Sequence, residues 1–170
     1  VSDGTKVESM TPIAEVTGCA KSILTGERTA LNFLQKLSGT ATLTAEFVDV
    51  DKNTKTKIVA TRKTTPGWRL LQKYAVRVGG GKNHRFGLYD GILIKDNHIV
   101  AAGGIQRAVE MARSGAPHTA KIEIEVETIN QVEEALRVKA DILLLDNMNN
   151  KTMQAAVKKA NGNAITEASG

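Results

Sequence analysis

The chain has 170 residues, 41% hydrophobic and 24% charged, with a formal net charge of +5, the composition of a globular chain of about one domain or slightly more. The positive balance admits an anionic metabolite, nucleic acid or an anionic membrane surface. Aromatic residues are only 4% and no block of five Lys/Arg or zinc-finger spacing occurs, which argues against nucleic acid. No apolar run approaches the roughly 20 residues of a membrane span, and the single cysteine, Cys19, rules out an intrachain disulfide, so a reducing, cytoplasmic setting is expected.

The N-terminus, VSDGTKVESM, lacks a basic leader with an apolar core, and the missing initiator Met points to a start inside a longer protein. Residues 1–24 read as short β or extended pieces: Asp3-Gly4 signals a turn, Pro12 interrupts, and TGCAKS holds Cys19 as a small buried hydrophobe. From Gly26 to about Val50 the pattern becomes helical. Ala30, Leu31, Leu34 and Leu37 recur at helical spacing, Ser38-Gly39 interrupts, and Ala41, Leu43, Ala45, Phe47 and Val48 resume it. DKNTKTK (51–57) is a polar loop.

After that the chain alternates regularly. Short apolar runs at 57–61, 91–95, 121–126, 141–146 and 163–166 read as strands. The segments Gly67–Arg77, Ile105–Arg113, Ile129–Val138 and Lys151–Ala160 read as helices, the first preceded by Pro66. This order implies βαβ units and a parallel sheet. At strand after strand the C-terminal end carries polar groups: Arg62 and Lys63, then Lys95, Asp96 and Asn97, then Glu125 and Glu127, then Asp146 and Asn147, then Glu167 and Ser169. A β/α barrel builds its active site at that end. Five strands stand against the eight of a closed barrel of about 250 residues. The expected fold is therefore α/β, a partial and open β/α barrel with mostly parallel strands, preceded by a piece of a smaller α+β domain.

Residues 61–98 concentrate the chemistry. Arg62, Lys63, His84, Arg85 and Lys95 surround a Pro-Gly turn, a triple glycine and two apolar runs. Arginine offers a planar fork for carboxylate or phosphate and lysine a point charge, so such a bundle suits a small ligand with several negative charges. The ordinary alternative is a solvated basic face. It fits poorly, because these cations stop apolar runs and alternate with glycines and histidines.

The acids form a second group. Adjacent parallel strands would place Glu125 and Asp146 at one rim, as hard oxygen ligands suited to Mg²⁺. Alternation in IEIEV puts Glu123, Glu125 and Glu127 on one face, where burial demands partners, and Lys63 and Lys95 are the candidates. A structural layer of salt bridges would read the same way. Lys95 could also be a Schiff-base lysine, though the nearby arginines favour anion binding. His98, in a loop, and His118 are read as structural. GGGK (79–82) lacks the P-loop spacing, and its glycines are read as a sharp turn that brings His84 and Arg85 inward.

TRKTTPG (61–67), GGGKNHR (79–85) and LIKDNH (93–98), with GERTALNFLQKLSGTAT (26–42), IEIEVET (122–128), ILLLDN (142–147) and EASG (167–170) in the same register, resemble the quinolinate phosphoribosyltransferase family over nearly the whole chain. The resemblance implies a remainder of an N-terminal α/β sandwich domain at 1–30 and an incomplete β/α-barrel catalytic domain at 31–170. It implies transfer of phosphoribosyl from phosphoribosyl pyrophosphate to quinolinate with decarboxylation, giving nicotinate mononucleotide, pyrophosphate and CO2. Thr61, Arg62, His84, Arg85 and Lys95 would line the quinolinate pocket. Lys63 would face the phosphoribosyl donor, Glu125 and Asp146 would hold ribose and Mg²⁺-pyrophosphate, and Ser169-Gly170 would begin a phosphate-holding turn. Arg28 would enter the neighbouring subunit's site in a homodimer or a multiple of dimers. The rivals are a nicotinate-type transferase, which needs one anion clamp rather than two, and a non-catalytic fragment.

Overall fold

The computed structural model describes residues 1–170, which form two compact units, Val1–Phe86 and Gly87–Gly170.

In the first unit, residues 1–19 are exposed and form no strand. Their sparse apolar residues present no continuous face to a neighbouring strand, and long-range hydrogen bonds such as Val1 N to the Ile13 carbonyl (2.7 Å) and Tyr74 Oη to Asp3 Oδ2 (2.6 Å) hold them instead. Helix α1 (Ala20–Val50) starts earlier than the sequence suggests, at Ala20 rather than near Gly26. It also runs through Ser38-Gly39 without a break, because one isolated glycine costs a helix only about 1 kcal/mol. Phe33 of α1 stacks on Trp68, with ring centroids 4.3 Å apart.

The chain then forms strand β1 (Val59–Ala60) and a turn at Thr65–Trp68. There Trp68 N–H bonds the Thr65 carbonyl and Gly67 takes φ +78°, a type II turn with proline and glycine in their favoured places. Helix α2 (Arg69–Val78) follows. Gly81 N–H returns to the Val76 carbonyl and Gly80 N–H to that of Arg77, with Gly80 at φ +88°, a Schellman ending. Gly79 and Gly81 have a different task. A Cβ on Gly79 would lie 2.7 Å from Thr44 Cβ, and one on Gly81 would lie 2.9 Å from Thr44 Cγ2. The triple glycine is thus a turn at Gly80 and a close approach to α1 on either side, beyond the turn alone that the sequence suggests. Strand β2 (Lys82–Asn83) pairs in parallel with β1, so the first expected strand belongs to a two-stranded ribbon.

The second unit is an open, wholly parallel sheet in the order β3 (Ile92–Ile94), β4 (Ile122–Val126), β5 (Ile142–Asp146), β6 (Ile165–Ser169). Helices α3 (Asp96–Ala102), α4 (Ile105–Gly115), α5 (Ile129–Arg137) and α6 (Asn150–Ala160) make the connections. Thr128 opens α5 in a capping box with Gln131, and Asn149 caps α6 by accepting from Thr152 N–H at 2.9 Å. One sheet face carries Ile94, Ile122, Ile124, Val126, Leu143 and Leu145, which form the core with Val109, Val132, Ala135 and Ala156 of the helices. Each such aliphatic burial contributes about 1.5–3 kcal/mol. This α/β architecture, an open parallel sheet flanked by helices, is that of a partial β/α barrel preceded by an N-terminal part.

Candidate active site

Because side chains alternate along a strand, committing Ile122, Ile124 and Val126 to the helices turns Glu123 and Glu125 to the opposite face. Register does the same for β5 and β6. Glu125 pairs with Leu144 and Leu144 with Glu167, while Asp146 pairs with Ser169. The face away from the helices therefore carries the acids. Glu123 is buried and Glu125 and Glu167 are partly buried. Carboxylate oxygens of Glu123 and Glu167 lie within 4.8 Å of one another, a set of hard oxygen donors whose chemistry fits a divalent cation such as Mg²⁺.

Lys95 closes β3 and Glu125 lies near the end of β4. Lys95 Nζ is 3.2 Å from Glu125 Oε2, with side-chain exposures of 49% and 13%. The partnership expected from sequence is present. An ion pair so open to water on one side contributes at most about 1 kcal/mol to stability, so it can be exchanged for contact with a charged substrate at little cost. Lys95 also precedes a helix where a loop was expected. His98 sits in the first turn of α3, and its Nδ1 accepts from Lys95 N–H at 2.9 Å. His98 thereby fixes the backbone of Lys95. Glu127 departs from the expected acidic face: it lies beyond β4, exposed, with its N–H donated to Gln131 Oε1 at 2.8 Å.

At the β5–β6 rim, Asn147 takes φ +50°, a conformation asparagine tolerates. Its Nδ2 donates to Asp146 Oδ2 at 2.6 Å and its N–H to the Ser169 carbonyl at 2.9 Å. Gly170 has φ +142°, and a Cβ there would meet Asn147 Oδ1 at 3.0 Å. Asp146, Ser169 and Gly170 are thus joined through Asn147, which the sequence reading left without a role.

In the first unit the expected cations fall on two segments. Thr61, exposed, accepts Lys63 N–H at its Oγ1 (3.0 Å). Arg62 is partly buried, and its Nε is buried with no hydrogen-bond partner, a donor suited to an incoming anion. His84 and Arg85, partly buried, follow β2. Arg28 is exposed on α1. Two residues missed in the sequence organise these segments from α2. Lys73, 2% exposed, donates Nζ to the His84 carbonyl at 3.1 Å, and Arg69 Nη1 donates to the Phe86 carbonyl at 3.1 Å. Their signal was two cations four residues apart, on one face of a helix that directly follows the Arg62–Lys63 segment.

The model of the quinolinate phosphoribosyl transferase C-terminal domain matches residues 40–170, and that of its N-terminal domain matches residues 1–38. The chain belongs to the quinolinate phosphoribosyl transferase family. It is 51% identical over 168 residues to the probable carboxylating nicotinate-nucleotide pyrophosphorylase of Bacillus subtilis, and 40% identical over 173 residues to the human carboxylating enzyme. In both cases the alignment covers 99% of this chain and 58% of the relative. Among solved structures, NadC from Streptococcus pyogenes superposes with a TM-score of 0.95 at 46% identity, covering 100% of this chain and 60% of that one. The Francisella tularensis nicotinate-nucleotide pyrophosphorylase gives 0.85 at 50% identity, covering 89% and 54%. The chain therefore spans somewhat under two thirds of the length of these quinolinate phosphoribosyl transferase relatives. No helix is long and apolar enough to cross a membrane.

Proposed function

We propose that the chain serves carboxylating nicotinate-nucleotide pyrophosphorylase activity: phosphoribosyl pyrophosphate and quinolinate give nicotinate mononucleotide, pyrophosphate and CO2 in NAD biosynthesis. The observation that carries this reading is the polar rim at the C-terminal ends of β3–β6, where Lys95, Glu125, Asp146 and Ser169 stand at or next to the last residues of consecutive strands. A β/α architecture does its chemistry at that edge.

The pyridine nitrogen of quinolinate carries its own lone pair, so attack on the ribose C1 requires no general base. Catalysis rests on positioning and charge. Arg62, His84, Arg85 and Lys95, with Thr61, hold the two ring carboxylates, and the buried Nε of Arg62 supports that role. Glu125 and Asp146 place negative charge beside the ribose as its C1–oxygen bond to pyrophosphate lengthens and positive charge develops. Lys63 draws the pyrophosphate oxygens, and Ser169 and Gly170 offer hydroxyl and backbone donors to the phosphate. Glu125 and Asp146, with the Glu123–Glu167 pair nearby in the same sheet, would hold Mg²⁺, which when bound neutralises pyrophosphate charge. Once the ring nitrogen is quaternised, its positive charge stabilises the electron pair left on the adjacent ring carbon when that carboxylate leaves as CO2, and a proton from water then bonds to that carbon.

The test is release of pyrophosphate and CO2 by the full chain with Mg²⁺, supplied with quinolinate, with nicotinate or with neither. Turnover with quinolinate and little with nicotinate is expected. Equal turnover of both acids would replace the dicarboxylate reading with the nicotinate-type one. No turnover with either would leave an anion-binding protein.

A further inference from the structure

Arg69, Gln72 and Lys73 stand at i, i+3 and i+4 along α2, on one helical face, and each holds a segment that carries candidate substrate cations. Arg69 Nε donates to Thr64 Oγ1 at 3.1 Å, Nη1 to the Phe86 carbonyl at 3.1 Å and Nη2 to the Arg62 carbonyl at 3.5 Å. Gln72 accepts Thr65 N–H at 2.8 Å and returns Nε2 to Thr65 Oγ1 at 3.2 Å. Lys73 Nζ reaches the His84 carbonyl at 3.1 Å. The loops after β1 and β2 are therefore tied to the same helix face. Direct strand pairing between them covers only two residue pairs, Val59 with Lys82 and Ala60 with Asn83, and ends before either cation cluster begins. Beyond that point, side chains of α2 govern the spacing.

Arg69 reaches both loops. Its acceptors are two carbonyls and a hydroxyl lying in different directions, which a planar guanidinium with five N–H donors can serve together and an ammonium cannot. All three are uncharged oxygens, so its positive charge still contributes to the field around residues 62–64 and 86.

We infer that Arg69 is a positioning residue: it sets the separation of Arg62 from His84 and Arg85, and hence the spacing of the clamps on a rigid pyridine dicarboxylate. This rests on the dicarboxylate reading given above. A ligand with one carboxylate needs one clamp and is insensitive to that spacing, whereas a dicarboxylate needs both at once.

Arg69→Ala and Arg69→Lys in the full chain test it, with folding checked by circular dichroism and thermal unfolding. Arg69→Ala is expected to raise the KM for quinolinate at least tenfold while the KM for phosphoribosyl pyrophosphate stays within twofold. Nicotinate affinity should fall much less than quinolinate affinity. Arg69→Lys should move the same way by a smaller factor, and millimolar guanidinium should restore part of the quinolinate affinity of Arg69→Ala. Folded variants with unchanged quinolinate KM, or with equal losses for both substrates, overturn the inference, as does failure of both variants to fold, which would make Arg69 a stability residue. If the unaltered chain does not prefer quinolinate, the dicarboxylate reading fails first. Amide hydrogen exchange at residues 62–65 and 84–86 then decides the positioning itself: faster exchange in Arg69→Lys supports it and unchanged exchange rejects it.

Discussion

Gly79 lies against Thr44 of α1, so that a Cβ on the glycine would sit 2.7 Å from Thr44 Cβ and closer still to the Ala41 carbonyl oxygen. Thr44 is the one buried residue of that helix, and its hydroxyl is turned to the Thr40 carbonyl at 2.8 Å. The end of α2 is thus pressed onto α1, and the loop bearing His84 and Arg85 leaves from that contact. Gly79→Ala is expected to destabilise the chain by about 1–3 kcal/mol through overpacking. Gly26→Ala, inside α1 itself and with nothing within 4 Å of the added methyl, should stabilise it by roughly 0.5–1 kcal/mol. Chemical denaturation of the two variants checks both signs. Equal effects would show that helix propensity, rather than contact with α1, governs Gly79.

Arg85→Ala should weaken quinolinate binding by about 2–4 kcal/mol, the loss of a charge-assisted clamp, and leave phosphoribosyl pyrophosphate binding nearly intact. Calorimetric titration with each substrate separates the two. Parallel losses would place Arg85 outside the dicarboxylate clamp.

Strands β3 and β5 were legible as short continuous apolar runs and β4 as an alternating one, each bounded by charged residues or glycine. The polar groups at their ends were legible for the same reason. Other features depend on tertiary contact. Helix α3 is too short for periodicity to declare, and His98 becomes a capping residue only through the backbone of Lys95. Glu123 alternates like Glu125, yet only packing makes it 2% exposed. The glycines at 79 and 81 read as parts of a sharp turn, since nothing local announces that Thr44 will press against them. The roles of Arg69 and Lys73 stayed hidden because most of their acceptors are backbone carbonyls, which have no sequence signature.

Asp146→Ala is expected to lower kcat by a factor on the order of 10²–10³ and to raise the Mg²⁺ concentration needed for half-maximal turnover, while quinolinate affinity changes little. Its carboxylate is oriented by Asn147 Nδ2 at 2.6 Å, so Asn147→Ala should move the Mg²⁺ dependence in the same direction by less. Initial rates across a Mg²⁺ series measure both. Ordinary Mg²⁺ dependence in Asp146→Ala would remove it from the metal-pyrophosphate role.

Glu133 of α5 is joined to Lys159 of α6. The hydrogen bond from Lys159, and then its charge, hold the Glu133 carboxyl below its ordinary value of 4.5. Because the folded value is depressed, the pair's contribution is present above the unfolded carboxyl range and is lost as pH falls through the folded value. The pair is exposed, so salt should weaken it. Titration followed by side-chain carboxyl NMR should show Glu133 ionising below an ordinary glutamate, returning to the ordinary range in Lys159→Met and rising in high salt. A Glu133 titration unmoved by Lys159→Met would exclude the lysine as the cause.

Arg28 is exposed on α1, and the family resemblance implies that it would complete the partner's site in a two-fold dimer. Arg28→Ala and Lys95→Ala should then each be inactive as homodimers of the full chain, yet regain activity when mixed under subunit exchange. In each hybrid, one site receives Lys95 from one chain and Arg28 from the other, and the second site carries both defects. Random exchange makes about half of the dimers hybrids, so recovery should approach about a quarter of wild-type sites by two-fold symmetry. Hybrid formation is checked independently by native mass spectrometry of differently tagged chains. Recovery that grows with the hybrid fraction supports a shared site. Inactive hybrids in a demonstrably mixed population would mean that Arg28 acts within its own chain, because a residue working in cis leaves every site of a hybrid with one defect.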